Sequence, residues 1–129
     1  MEANKLNPVG VDETEELKPR VFVTNYGGHD YDEAKSFGEI RWVTRGFVSF
    51  QSLDRVKFLV AEAITDSRPD DYLLISGRAI ISVLAALVWF HKHSIVRLLV
   101  FDQKGGNKYR EVVIKKSNLD DLVKVLGEG

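Results

Sequence analysis

Two short apolar runs flank a longer one between Asp70 and Asp102, and this arrangement constrains the fold more than any other part of the chain. Residues 72–76 follow a polar turn, and such a run is typical of a strand buried on both faces. Residues 79–90 contain one polar side chain, Ser82, and predict a helix. Residues 95–101 return as a second strand, and neighbouring strands joined through a helix run parallel. The stretch therefore predicts a βαβ unit.

The helix of this unit is predicted to lie in the core, because a helix that is apolar all round must be covered on nearly every side. Leu84, Leu87 and Val88 are its expected core residues. The run is twelve residues long, whereas a membrane span needs roughly 20 apolar residues, so no membrane partner is indicated. His91 and His93 follow it two positions apart and point in different directions on a regular helix, which argues against a shared metal.

Composition narrows the class of protein further. The 129 residues match one ordinary domain, which we place at residues 21–129, and the formal net charge of −1 gives no overall attraction for nucleic acid. Without cysteine the chain has no disulfide and no thiolate nucleophile. Residues 1–20 are acidic and poor in large apolar side chains, which predicts an extended N-terminal arm. The chain begins without the basic and apolar blocks of a signal peptide, so the expected location is the cytoplasm.

The residues before the central unit predict two more strands and two helices. Strands are expected at residues 20–24 and 40–44, with a short helix between them that Asp30 caps and that ends at Gly38. Residues 47–50 either form the second arm of a hairpin or lead into the next helix. Ser52 is expected to cap that helix, whose apolar residues recur at three- and four-residue spacing.

The residues after the central unit predict a β-hairpin and a final helix. Residues 109–114 should fold back antiparallel on the strand at 95–101 as an edge strand, protected from further pairing by Lys115 and Lys116. Ser117 or Asn118 is expected to cap the last helix. The apolar residues that share one face of this helix are Leu119, Leu122, Val123 and Leu126.

Taken in order, these elements predict a three-layer α/β fold of the Rossmann or flavodoxin-like type. The expected sheet is mostly parallel, with strand order 2-1-3-4-5, an antiparallel last strand and helices on both faces. Ligands of such sheets bind outside the carboxyl ends of the strands, where the strand order reverses. The candidate ligand-binding residues at this edge are Asn25, Gly27, Gly28, His29, Ser76, Gly77, Arg78 and Asp102.

The candidate residues have structural explanations as well as functional ones. Gly27 and Gly28 lack the G-x-G-x-x-G pattern of a dinucleotide site, and a tight turn accounts for them. The unperturbed pKa of a histidine side chain suits proton exchange near neutrality, but His29 stands alone in a predicted loop. Gly77 and Arg78 precede a helix N-terminus, where free amides favour an anion such as phosphate. No catalytic residue, metal site or cofactor is indicated, and the sequence leaves open whether the protein is an enzyme.

Three segments resemble small α/β proteins encoded by tailed bacteriophages: VTNYGGHDY at residues 23–31, DYLLISG at residues 71–77, and the run 93–102. The resemblance extends from about residue 21 to residue 114. It implies a phage gene product that acts in the host cytoplasm or as a minor part of the virion. It implies no activity and no catalytic residue.

The sequence thus supports three hypotheses from different classes. The first is a phage interaction or assembly protein that uses its N-terminal arm and edge strand to contact other subunits, including copies of the chain, or a host protein. The second is a domain or enzyme that binds a phosphorylated small molecule, such as a nucleotide or a sugar phosphate. A nucleic-acid-binding module ranks last, because the basic residues from Lys104 to Lys116 are also explained by protection of the edge strand.

Overall fold

A computed structural model of the chain describes residues 18–28, 30–46, 52–106 and 108–128. The predicted arm, apart from its last three residues, lies outside this part of the chain, and so do His29 and residues 47–50. The five strands are β1 (Arg20–Val23), β2 (Glu39–Trp42), β3 (Tyr72–Leu74), β4 (Ile95–Asp102) and β5 (Lys108–Lys115). The helices are α1 (Leu53–Ile64), α2 (Ala79–His93), α3 (Lys116–Glu128) and a 3-10 helix (Asp32–Ser36).

The sheet has the predicted topology. Its strands lie in the order β2-β1-β3-β4-β5, and the first four are parallel while β5 runs antiparallel to β4. In β1, Val23 pairs with Leu74 of β3, and Leu74 pairs in turn with Leu99 of β4. The order reverses between β1 and β3, so the loops after these two strands border the same crevice.

The first face of the sheet carries the larger core. Here α1 and α2 pack over Phe22 and Leu73, and Trp89 of α2 is fully buried with its ring centroid 5.3 Å from that of Phe22. The second face is covered by the 3-10 helix, which places Ala34 against a smaller cluster that includes Val23 and Leu99. The layers predicted from sequence are therefore present, but the layer on the second face is thin.

The prediction that α2 is buried on every side is wrong. Its core face consists of Ile81, Ala85 and Trp89, while the side chain of Leu87 is 63% exposed and that of Val83 is 52% exposed. Leu84 and Val88 are half-buried beside the core. The apolar composition of α2 does not by itself show whether the helix is buried on all sides or leaves its outer side exposed. The helix also continues through His93, three residues beyond its predicted end.

The helix starts differ in detail from those predicted. Ser52 is the N-cap residue of α1, but its side chain makes no capping hydrogen bond. Asp30 precedes a 3-10 helix and accepts a hydrogen bond from the Asp32 amide at 2.9 Å. Asn118 lies in the first turn of α3 and accepts from the backbone amide of Lys115 at 3.0 Å. This contact is the reciprocal half of a capping box, so the sequence identified the residue but not its exact role.

Candidate functional site

A buried polar network occupies the crevice where β1 and β3 end. Thr24 lies at its centre: its Oγ1 donates to the carbonyl oxygen of Ser76 at 2.6 Å and accepts from the Ser76 amide at 2.9 Å. The hydroxyl of Ser82, in the first turn of α2, lies 3.0 Å from Oγ1 of Thr24. Buried polar groups need such partners, and these contacts lock the ends of β1 and β3 together.

Asn25 connects this network to the end of β2. Its Nδ2 donates to Oγ1 of Thr44 at 2.8 Å and to the carbonyl oxygen of Gly46 at 3.3 Å. On its other side, a Cβ added to Gly77 would lie 2.6 Å from Asn25 side-chain atoms, and Gly77 has a φ of +80°. Glycine is therefore required here by both backbone conformation and space.

Tyr31 is the site residue that sequence reasoning missed. Its hydroxyl accepts from the Gly27 amide at 2.8 Å and lies 2.6 Å from Oγ of Ser76, so it ties the loop after β1 to the loop after β3. The ring of Tyr31 also packs edge-on against Trp42 with centroids 5.4 Å apart. An aromatic residue one position after a capping aspartate carries no sequence signal of this role.

A cavity of about 240 Å³ opens beside this network, at the carboxyl ends of β3 and β4. Leu74, Ile75, Ser76, Phe101, Tyr109 and Asp30 line it. Burial, followed by the electrostatic effect of Tyr31 and Asp30, raises the pKa of Tyr109 above its ordinary value. The lining side chains are apolar except for the hydroxyls of Ser76 and Tyr109 and the carboxylate of Asp30, which is the one charged group among them. Such a cavity suits an apolar group that carries a cation better than it suits a phosphate.

The structure brings some of the predicted site residues together and gives others separate positions. Asn25, Gly77 and Ser76 converge, as the strand ends predict, whereas Arg78 is the exposed N-cap residue of α2 and Gly28 occupies a turn with φ +81°. Asp102 is the last residue of β4 and supports the turn to β5, since its Oδ1 accepts from the Gly105 amide at 2.8 Å. The anion site at the start of α2 stays a prediction.

No group of three or more potential metal-ligating side chains occurs among the residues that the structure describes. Within the same residues, no helix is long and apolar enough to cross a membrane.

One side of α3 carries an exposed apolar stripe, which consists of Leu119, Leu122, Val123 and Leu126. The exposed fraction rises along the stripe from 40% at Leu119 to 58% at Leu122 and 76% at Leu126. The amphipathic pattern predicted from sequence is therefore present, but α3 turns its apolar face to solvent. Contiguous exposed apolar surface of this kind marks interaction sites in folded proteins.

The fold and these surfaces define a small α/β protein with a polar crevice whose groups bond to one another and a last helix whose apolar side is exposed. The chain belongs to the Phage Pam3 gp32-like protein family, whose model matches residues 15–116. The resemblance to phage proteins is thereby confirmed. The matched residues include the whole sheet and end at the first residue of α3. No curated protein and no solved structure gives a significant match to the chain.

Proposed function

We propose that this phage protein is an interaction or assembly protein that binds a protein partner through α3. The exposed apolar stripe of α3 is the observation that carries the proposal. Leaving leucine and valine side chains in water forgoes roughly 1.5–3 kcal/mol for each one that could be fully buried. A helix with four such residues on one face is stabilised far more in a complex than alone.

The polar groups of the crevice form hydrogen bonds with one another, and this supports the same proposal. Thr24, Asn25 and Ser76 direct their side chains at one another or at neighbouring loops. A catalytic or ligand-binding constellation normally aims several polar groups at a space where a substrate can sit. Here those groups stabilise the junction of the strands, so the chemistry of the crevice is mainly structural.

The proposed contact has two candidate locations. An assembly protein of this kind acts in the cytoplasm of the infected host, where virions are built, or stays in the virion as a minor component. The proposal is compatible with both locations, since α3 can serve a passing contact during assembly or a permanent one.

The test compares the wild-type chain with Leu122→Glu in extracts of phage-infected cells that carry one or the other form. We expect the wild-type chain to sediment in a complex larger than its own monomer and the variant to sediment alone. Lys124→Gln is the matched control, because Lys124 lies on the opposite side of α3 and its replacement should leave the complex intact. Equal sedimentation of wild type and Leu122→Glu would reject the proposal.

Binding of a phosphorylated small molecule is the second candidate function, and Gly77 and Arg78 at the start of α2 are its support. Arg78→Ala should then weaken binding of nucleotides or sugar phosphates about tenfold or more, because a charge-assisted contact is lost. Titration calorimetry with wild type and variant measures this effect. Absence of binding to the wild-type protein at millimolar ligand would remove this candidate.

A further inference from the structure

We infer that the partner of α3 is a second copy of this chain, and that two copies exchange their α3 helices. In this dimer the α3 stripe of each copy covers an exposed apolar surface on the other. The inference rests on the proposed function, since it names the occupant of the surface that carries that function. It follows from three observations: a vacant surface of matching pattern, a connection that directs α3 away from the body, and complementary charge.

The vacant surface is an apolar shelf formed by α2 and the outer strands on the first face of the sheet. Leu98 pairs with Val112 across β4 and β5 and packs in the core under α2, so Val112 and Val100 point to the same face as that helix. The shelf consists of five exposed side chains, Ile80, Val83, Leu87, Val100 and Val112. A helix laid along the exposed side of α2 and the neighbouring strands would cover this shelf.

The connection to α3 explains why the chain's own helix leaves the shelf uncovered. β5 ends at Lys115 and α3 begins at Lys116 with no residue between them, whereas a strand and a helix that folds back on its sheet are usually joined by 2–6 residues. The Lys116 amide donates to the carbonyl oxygen of Ser94 at 2.9 Å, which fixes the start of the helix beside the first residue of β4. Exposure then increases toward the C-terminal end of α3, so the helix leaves the body as it proceeds.

The two stripes match in spacing. Leu119, Leu122 and Leu126 recur at intervals of three and four residues on α3. The exposed large apolar residues of α2, Ile80, Val83 and Leu87, recur at the same intervals. This spacing forms a continuous seam between two packed helices. Because each chain carries one stripe of each kind, a two-fold axis generates two identical contacts and satisfies both stripes of both copies.

Charge also favours this pairing. α2 contains no acidic residue and carries the cationic Lys92 in its last turn, while α3 carries Asp120 and Asp121 in its first half. An antiparallel arrangement places the aspartates beside the last turn of α2 and opposes the two helix dipoles. Pairing of two β5 edges is disfavoured by comparison, since it would bring Lys108 and Lys115 of one copy against the like charges of the other.

The experiment uses the purified full-length chain and two charge variants in sedimentation equilibrium. Leu122→Lys alters the α3 stripe and Leu87→Glu alters the shelf, and both side chains are exposed, so circular dichroism should show each variant folded. We expect a wild-type dimer, at least tenfold weaker dimerisation of each variant alone, and recovery in their equimolar mixture. The mixed dimer has one unaltered contact and one contact in which lysine faces glutamate.

Each other outcome overturns the exchange. A wild-type monomer at about 100 μM together with a large complex in infected extracts would reject the second copy while retaining a protein partner for α3. Monomers in both experiments would reject the proposed function as well. Undiminished dimerisation of Leu87→Glu, or a mixture that fails to recover, would show that the copies associate without α3 contacting the shelf.

Discussion

Asp71 accepts two hydrogen bonds from Arg20: one from its backbone amide at 2.8 Å and one from its guanidinium at 2.9 Å. The Asp71 carboxylate is fully buried and also accepts from the backbone amide of Arg68 at 2.8 Å. It therefore joins the first residue of β1 to the turn that precedes β3. The crevice at the opposite ends of these strands depends on this contact, because it fixes their alignment.

Asp71→Asn should lower the free energy of unfolding by about 3 kcal/mol or more, since loss of one partner leaves the other poorly compensated at a buried site. Asp66→Asn is the matched control. Asp66 also pairs with Arg20, but at an exposed position where an ion pair contributes less than about 1 kcal/mol. Urea denaturation of the three proteins measures the difference, and equal losses for the two variants would show that Asp71 is no anchor.

The free energy of unfolding should decrease as the pH falls through the range in which His93 becomes protonated. Burial, assisted by the positive charge of Lys92, lowers the pKa of His93, whose Nε2 lies 2.9 Å from Oγ of Ser67. A depressed pKa means that the unfolded chain binds the proton more readily, so stability is lost as pH falls below about 6.5. Denaturation between pH 7.5 and 5 should show this slope, and His93→Gln should flatten it while exposed His91→Gln should not.

A second acid window, at lower pH, is expected from Asp71. Burial acts to raise the pKa of Asp71, but the hydrogen bonds from Arg20 and Arg68 outweigh it and hold the pKa below its ordinary value. The stability that this carboxylate contributes is complete above about pH 4 and is lost as pH falls through the lowered pKa. Asp71→Asn should remove this part of the acid response, which melting curves between pH 4.5 and 2 would record.

Gly77→Ala should destabilise the protein more than Gly46→Ala. Both glycines have positive φ, so an alanine at either site incurs about 1–2 kcal/mol of backbone strain. A Cβ at Gly77 would in addition lie 2.6 Å from Asn25, whereas nothing lies within 4 Å of one at Gly46. The difference between the two denaturation midpoints isolates the close contact, and no difference would mean that Asn25 moves away freely.

The cavity lined by Asp30, Phe101 and Tyr109 should prefer cationic ligands to anionic ones. Benzylamine and benzoate are suitable probes, because they have similar size and opposite charge. In NMR titrations, benzylamine should shift the resonances of Ile75 and Phe101 at lower concentration than benzoate, and Asp30→Asn should abolish the preference. Asp32→Asn is the control, since Asp32 is exposed and does not line the cavity. A preference for benzoate would contradict the expected charge selectivity.

Alanine substitutions on the buried and exposed sides of α2 should have different effects on the free energy of unfolding. Ile81→Ala removes a fully buried side chain and should cost about 2–5 kcal/mol, while Leu87→Ala should change the stability of the monomer by less than about 0.5 kcal/mol. Leu84→Ala should fall between them, because Leu84 is half-buried. Measurement at low protein concentration is needed here, since association through the shelf would add to the apparent cost at Leu87.

The strand order and the positions of the elements could be predicted from the sequence, and the physical reason is local. Apolar runs such as residues 95–101 and the helical spacing of residues 53–64 encode their own conformations, and parallel strands joined by helices allow few topologies. The convergence of Asn25 with Ser76 and Gly77 followed from the same topology. These inferences needed no knowledge of which side chains touch.

Only the tertiary structure decided which apolar faces are covered and which polar groups are already satisfied. An apolar stripe looks the same in sequence whether it faces the core, as Ile81 does, or solvent, as Leu87 and Leu122 do. The hydroxyl of Tyr31 meets Ser76 only because two loops far apart in sequence end at one edge of the sheet. Burial and hydrogen-bond satisfaction are properties of the assembled layers, so they emerge when the elements pack.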